Sequence, residues 1–257
     1  HQADDLAMTT APQILRTPEH CFSNLPGFDY IPRYMTDMQG FEGMRLHYVE
    51  EGIGTAGTFL CLHGQPAWSY LYRKMIPVFV NAGGRVIAPD LFGFGRSDKP
   101  VDESMYSFSF HRNTLIRFIE RLDLRNITLV CQDWGGLLGL TIPMDMPDRF
   151  SSLLVMNTTL GTADAALSQG FLDWRAYSNR TTDMNIAALM KRATPALTDE
   201  EASAYAAPFP DQRYKAGVRR FPNLVPDHAD ASGVEESRRA RKWWQEWRGS
   251  SFMAVGA

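Results

Sequence analysis

A chain of 257 residues with 44% hydrophobic content can bury one large core, which excludes a disordered polypeptide and a small disulfide scaffold. Lys+Arg 26 against Asp+Glu 29 leaves a net charge of −3, without the basic surplus that phosphate-backbone binding requires, so nucleic acid is excluded as a partner. Cys21, Cys61 and Cys131 are an odd number without CxxC or Cys/His spacing, which argues against a disulfide framework and a metal site and fits a reducing compartment. No apolar run approaches the ~18 residues of a membrane span. The acidic opening HQADDLA lacks the apolar stretch of a signal peptide, so a soluble cytoplasmic protein is expected. The first methionine is Met8, and residues 1–7 are read as upstream of the fold.

Arg45 to Glu50 alternates and is followed by Gly52 and Gly54, the pattern of a leading antiparallel hairpin. Thr58–Leu62 reads as a buried strand. A helical pattern follows through Trp68, Leu71, Met75 and Phe79, with Pro77 kinking or restarting it and Gly83-Gly84 ending it. Arg85–Pro89 is the next strand. Phe108, His111, Leu115, Phe118, Ile119 and Leu122 fall at helical spacing, and Ile127–Cys131 is a third strand. A helix from Gly135 to about Met144 and a fourth strand, Leu153–Met156, complete the alternation. Strands separated by helices imply an α/β fold whose sheet is mostly parallel, with right-handed crossovers.

After Met156 the strand rhythm stops. Residues 157–228 read as helices and loops, among them a capping box, Thr198 with Glu201, opening a helix that Pro208 ends. This divides the chain into a core over 1–156, an inserted helical cap over 157–228, and a second core segment over 229–257. Trp243, Trp244 and Trp247 share helical spacing with Ala240 and are read as one buried face; Arg238, Arg239, Arg241 and Lys242 are read as its solvated side. The last strand signal is Ser251–Val255.

The stretch Cys131-Gln132-Asp133-Trp134-Gly135-Gly136 lies between a strand and a helix. A sharp strand-to-helix turn that exposes one side chain needs small residues two before and two after it, here Cys131 and Gly135. Asp133 is the exposed side chain. A carboxylate in the place where related turns carry serine can displace a leaving group from saturated carbon and form an ester. The competing reading is an Asp that caps the following helix. Cys131 is read as core. His63-Gly64-Gln65-Pro66 follows the first parallel strand, where the loop supplies one backbone N–H to an oxyanion site and Trp134 the other; His63 itself is read as structural. Asp90-Leu91-Phe92-Gly93-Phe94-Gly95-Arg96-Ser97 fails as a dinucleotide fingerprint because Asp98 stands where the third glycine belongs.

On these residues the chain resembles the haloalkane dehalogenases of the α/β-hydrolase superfamily. The match runs from about Ile14 to Ala257 and is strongest over His63–Pro77, Gln132–Gly136 and Glu201–Pro210. The chain is similar to the subgroup with paired halide-binding tryptophans. The resemblance implies an α/β-hydrolase core with Asp133 as nucleophile, Trp134 and Trp174 as halide ligands, and Gln65 with Trp134 as the oxyanion site. Members usually carry Asn or Glu where Gln65 stands. The partners implied are a small haloalkane, water and the released halide, with no cofactor, no metal and a monomeric chain.

Physical chemistry agrees with that assignment, because a departing halide loses its hydration in an apolar cavity and indole N–H groups donate without accepting. Phe171 is a candidate wall. A haloacid enzyme would want an arginine near the turn to take the substrate carboxylate, and Trp134 occupies the obvious place.

Hydrolysis of an Asp133 ester requires a base and an acid that orients it. Neither is found. Asn157 occupies one place where relatives put the acid, the other falls just past Ala257, and His20, His47, His111 and His228 lie elsewhere. The expectation is a C-terminally truncated dehalogenase that completes only the alkylation step. Two alternatives stand beside it: an epoxide hydrolase using Tyr177, Tyr205 or Tyr214, and an inactive fragment that binds apolar ligands.

Overall fold

The computed structural model describes residues 11–256; the reading of residues 1–7 lies outside them. In chain order the strands are β1 (Ile14–Leu15), β2 (Arg33–Met35), β3 (Leu46–Glu51), β4 (Thr58–Leu62), β5 (Arg85–Pro89), β6 (Lys99–Pro100), β7 (Ile127–Gln132), β8 (Phe150–Met156) and β9 (Ser250–Ala254). The helices are α1 (Ile76–Asn81), α2 (Phe108–Arg121), α3 (Trp134–Gly139), α4 (Gln169–Arg180), α5 (Ile186–Ala193), α6 (Asp199–Ala206), α7 (Ala216–Leu224) and α8 (Val234–Glu246).

Seven strands form one sheet in the order β2-β3-β5-β4-β7-β8-β9, and β1 pairs with β6 in a two-stranded ribbon. The run β5-β4-β7-β8-β9 is parallel, as the alternation of apolar runs and helices implies. β3 is antiparallel to β2 on one side and to β5 on the other. The leading hairpin is therefore made with β2, and β5 sits between β3 and the strand that follows the glycines. The central strands are almost wholly apolar because both faces are covered: Leu60, Leu62, Val86, Ile87, Leu129 and Val130 are all buried.

Of the two readings of Pro77 the structure bears out the restart: it stands at the first turn of α1, where its missing N–H costs no hydrogen bond. Two other features differ from the sequence reading. α3 ends at Gly139 and the chain continues as short turns around Pro143 and Pro147. The tryptophan trio is only half buried: the indoles of Trp243 and Trp247 contact Trp244 edge to face at 4.8 and 5.0 Å, and Ala240 alone is fully enclosed.

Between β8 and α8 every regular element is helical. This stretch is fastened to the sheet side by side-chain bonds. Trp68, fully buried as expected, donates from Nε1 to Ala204 O at 3.2 Å, and Thr17 Oγ1 donates to Pro208 O at 2.6 Å. Arg73 Nη2 reaches Glu201 Oε2 at 2.5 Å, while the other oxygen of Glu201 accepts the Thr198 N–H and closes the capping box. Arg73 and the capping bond hold the Glu201 carboxyl down at about 2. Among the described residues no helix is long and apolar enough to cross a membrane, and no group of three His, Cys, Asp or Glu is placed to hold a metal ion.

Candidate active site

Asp133 sits between the end of β7 and the start of α3 with φ +52° and ψ −127°, a backbone conformation that L side chains rarely adopt. It occupies the N-cap position of α3, yet its side chain makes no capping bond. The capping alternative is thereby excluded, and the carboxylate turns to the Gln65 loop instead. The turn is possible because its neighbours have no bulk. A Cβ on Gly135 would lie 2.2 Å from Leu62 O, one on Gly136 would lie 2.1 Å from Thr158 Oγ1, and one on Gly64 would lie 2.3 Å from Asp133 Cβ. Thr158 also braces the turn by donating from Oγ1 to Asp133 O at 2.7 Å.

Gln65 N–H donates to Asp133 Oδ2 at 2.9 Å, and the Trp134 N–H likewise favours the charged carboxylate. The largest influence on Asp133 is burial, which pushes its pKa above the ordinary value. The Gln65 side chain turns the other way: Nε2 donates to Val218 O on α7 at 3.0 Å. The residue is thus tied to the carboxylate by its backbone and to the helical segment by its amide.

A cavity of about 620 Å³ opens in front of the carboxylate, and Gln65, Asp133, Trp134, Phe171 and Trp174 all line it. All five residues singled out from sequence therefore meet at one place. Trp134 is buried and stacks on Phe221 with centroids 4.5 Å apart, and Phe221 in turn stacks on His111 at 4.6 Å. Neither Trp134 nor Trp174 spends its indole N–H on a protein acceptor among the described residues. The remaining wall comes mainly from Leu137 and residues 157–168, together with Pro222, Val225 and Pro226.

Other candidates resolve into structure. His63 is buried with Nδ1 on Gly64 O at 2.8 Å and Nε2 accepting from Leu91 N at 3.0 Å; burial lowers its pKa, so it is a neutral fastener. Cys131 is enclosed, and burial drives its thiol up to about 12. Asp90 is no phosphate ligand: its carboxylate accepts Ser69 N at 2.7 Å, Arg96 N at 2.9 Å and His47 Nδ1 at 2.7 Å, pinning its own loop. His228 is exposed and contacts Asp227, away from the cavity. Tyr177, Tyr205 and Tyr214 are absent from the cavity wall, and Arg73 Nη1 donates to the Tyr205 hydroxyl at 3.1 Å. No histidine lines the cavity among the described residues.

A family model for the alpha/beta hydrolase fold matches residues 57–257. The chain is 45% identical over 237 residues to a haloalkane dehalogenase of Psychrobacter cryohalolentis, covering 91% of this chain and 78% of the relative. The chain belongs to the haloalkane dehalogenase family. A haloalkane dehalogenase of Mycolicibacterium paratuberculosis is 38% identical over 244 residues, covering 94% of this chain and 81% of the relative. The haloalkane dehalogenase of Paraglaciecola agarilytica, solved as a tetramer, superposes with a TM-score of 0.91 at 54% identity, covering 95% of this chain and 82% of that one. The expected monomer finds no support in that assembly.

Two charged residues of the cavity carry no sequence signal. Arg241 does lie on the exposed side of α8, and it also lines the cavity together with Asp164 and pairs with it; Arg238 donates to Thr162 O at 3.1 Å and approaches Asp164 at 3.4 Å. Arg241 and Asp164 are 77 positions apart, and no local pattern joins them.

Proposed function

We propose that in this haloalkane dehalogenase Asp133 is the nucleophile, Trp134 and Trp174 bind the leaving halide, and residues 157–228 form a cap over the catalytic turn. The observation that carries the reading is the convergence of the Asp133 carboxylate and two unpaired indoles on one cavity of about 620 Å³. Oδ2 accepts the Gln65 N–H, so Oδ1 attacks the halogen-bearing carbon. A C–O bond forms, the C–halogen bond breaks, and its electron pair leaves with the halide. The carboxylate must be ionised to attack, and the Gln65 and Trp134 amides offset part of the cost of its burial. The indole N–H groups replace the water that the halide has lost, and the apolar wall, Phe171 among it, favours small uncharged substrates.

Hydrolysis of the resulting ester calls for a base, and no imidazole borders the cavity among the described residues. The alkylation step is read on its own as the mass of an alkyl ester on Asp133. Incubation with 1,2-dibromoethane followed by intact-mass measurement tests this: an adduct that maps to Asp133 and is lost in Asp133→Asn supports the reading, and a folded protein that neither gains the adduct nor releases bromide defeats it. Steady release of bromide without an adduct would show that this chain turns over. Trp174→Phe separates the family reaction from epoxide opening, because it removes one halide donor. A hydrogen bond to an ion contributes about 1.5–3 kcal/mol, so bromide affinity read by fluorescence quenching should fall at least about tenfold. Light scattering decides between one subunit and an assembly like that of the Paraglaciecola relative.

A further inference from the structure

The wall of the Asp133 cavity carries two charged side chains besides the nucleophile, Asp164 and Arg241. They come from elements that are otherwise far apart: Asp164 from the connection between β8 and α4, Arg241 from the middle of α8. The guanidinium of Arg241 is ion-paired to Asp164 Oδ2, and Arg238 approaches the other oxygen at 3.4 Å while its Nε is committed to Thr162 O. Both members of the pair are about two-fifths solvent-exposed, which puts them at the rim of the cavity and not at its floor.

An arginine on the wall of a cavity with a nucleophilic carboxylate is the group that a halogenated carboxylic acid would need. Its planar fork matches a carboxylate with two parallel hydrogen bonds. Here a carboxylate from the protein already holds one arm of that fork, through Nη1. We propose that Asp164 is a specificity-determining residue: by occupying Arg241 it denies the cavity rim to substrate carboxylates and restricts the reaction to uncharged haloalkanes. The proposal rests on the reading of Asp133 as nucleophile. A substrate carboxylate at the rim also lies away from the negative charge of Asp133, so the acids that would gain are those with the halogen at the far end of an alkyl chain.

The experiment compares two probes of similar length, 6-bromohexanoate and 1-bromohexane, by the rate at which each adds its mass to Asp133. The quantity read is the ratio of the two rates, so a general loss of activity cancels. In the parent protein the ratio is low. In Asp164→Asn at low ionic strength it should rise about tenfold, the size of effect that one freed charge contributes at a screened rim, and the gain should shrink in high salt. Asp164→Glu, which retains the charge, should keep the parental ratio. In Asp164→Asn combined with Arg241→Gln the gain should vanish. An unchanged ratio in an Asp164→Asn protein that still alkylates with 1-bromohexane overturns the proposal, as does a gain that survives the loss of Arg241. Failure of the parent to react with 1-bromohexane would instead strike the assignment of Asp133, so the two failures are distinguishable.

Discussion

Replacing Gly64 by alanine tests the geometry of the catalytic turn. A Cβ at that position would lie 2.3 Å from the Asp133 Cβ, 2.8 Å from its Cγ and 2.6 Å from Oδ2. None of these is the loose end of a long side chain. The Asp133 Cβ is fixed by a backbone at φ +52° whose carbonyl is held by Thr158, and Oδ2 is held by Gln65 N–H. Relief requires either that the loop retreat, carrying the Gln65 donor off the carboxylate, or that the carboxylate swing away from its line of attack. A misplacement of about 1 Å at a reacting group costs on the order of 10²-fold in rate. The strain of an extra methyl in a packed site costs about 1–3 kcal/mol of stability. The assay is the time course of the 1,2-dibromoethane adduct by intact mass, with a thermal melt of each protein beside it. Gly170 serves as the control: a Cβ there meets nothing within 4 Å, and alanine near the start of α4 should add up to about 1 kcal/mol of stability. A folded Gly64→Ala protein that is alkylated at the parental rate refutes the reasoning.

Burial raises the Asp133 pKa in the folded state, so the native protein binds the proton more tightly than the unfolded chain does. Stability is therefore lost as pH rises from the unfolded value through the folded one. Asp133→Asn, which has no ionisation to suppress, should melt higher than the parent at neutral pH, with the difference fading in acid; equal melting points at pH 7 contradict this. The Glu201 carboxyl has the opposite sign, with its folded value at about 2 against an ordinary 4.5. Its contribution is complete above pH 4.5 and lost as the pH falls through 2, so Glu201→Gln should flatten the loss of melting temperature across that window. Asp90→Ala removes a buried acceptor from Ser69 N–H, Arg96 N–H and His47, and urea unfolding should show a loss of about 3–5 kcal/mol.

The parallel core was legible because β4, β5, β7 and β8 are apolar runs between helical patterns, and both properties are local. The strand-to-helix turn at Asp133 was legible for a similar reason: Gly135 and Gly136 are small because Leu62 O and Thr158 stand against them, and that leaves its mark within a few residues of Asp133. The position of β5 between β3 and β4 was not legible, since strand order depends on crossovers that no single stretch encodes. The tryptophans of α8 misled because helical spacing tells which residues share a face, but not how much protein covers it. Arg241 and Asp164 meet only when α8 is laid beside the chain leaving β8, and an arginine in a basic run carries no sign that one member faces a cavity.

Gln65 joins the turn after β7 to α7 at a single residue, its backbone nitrogen on the Asp133 carboxylate and its side-chain nitrogen on Val218 O. A helix drifting outward would tug on the same peptide unit that orients the carboxylate. Displacement of α7 and loss of the Gln65 hydrogen bond to Asp133 are thereby coupled through one side chain.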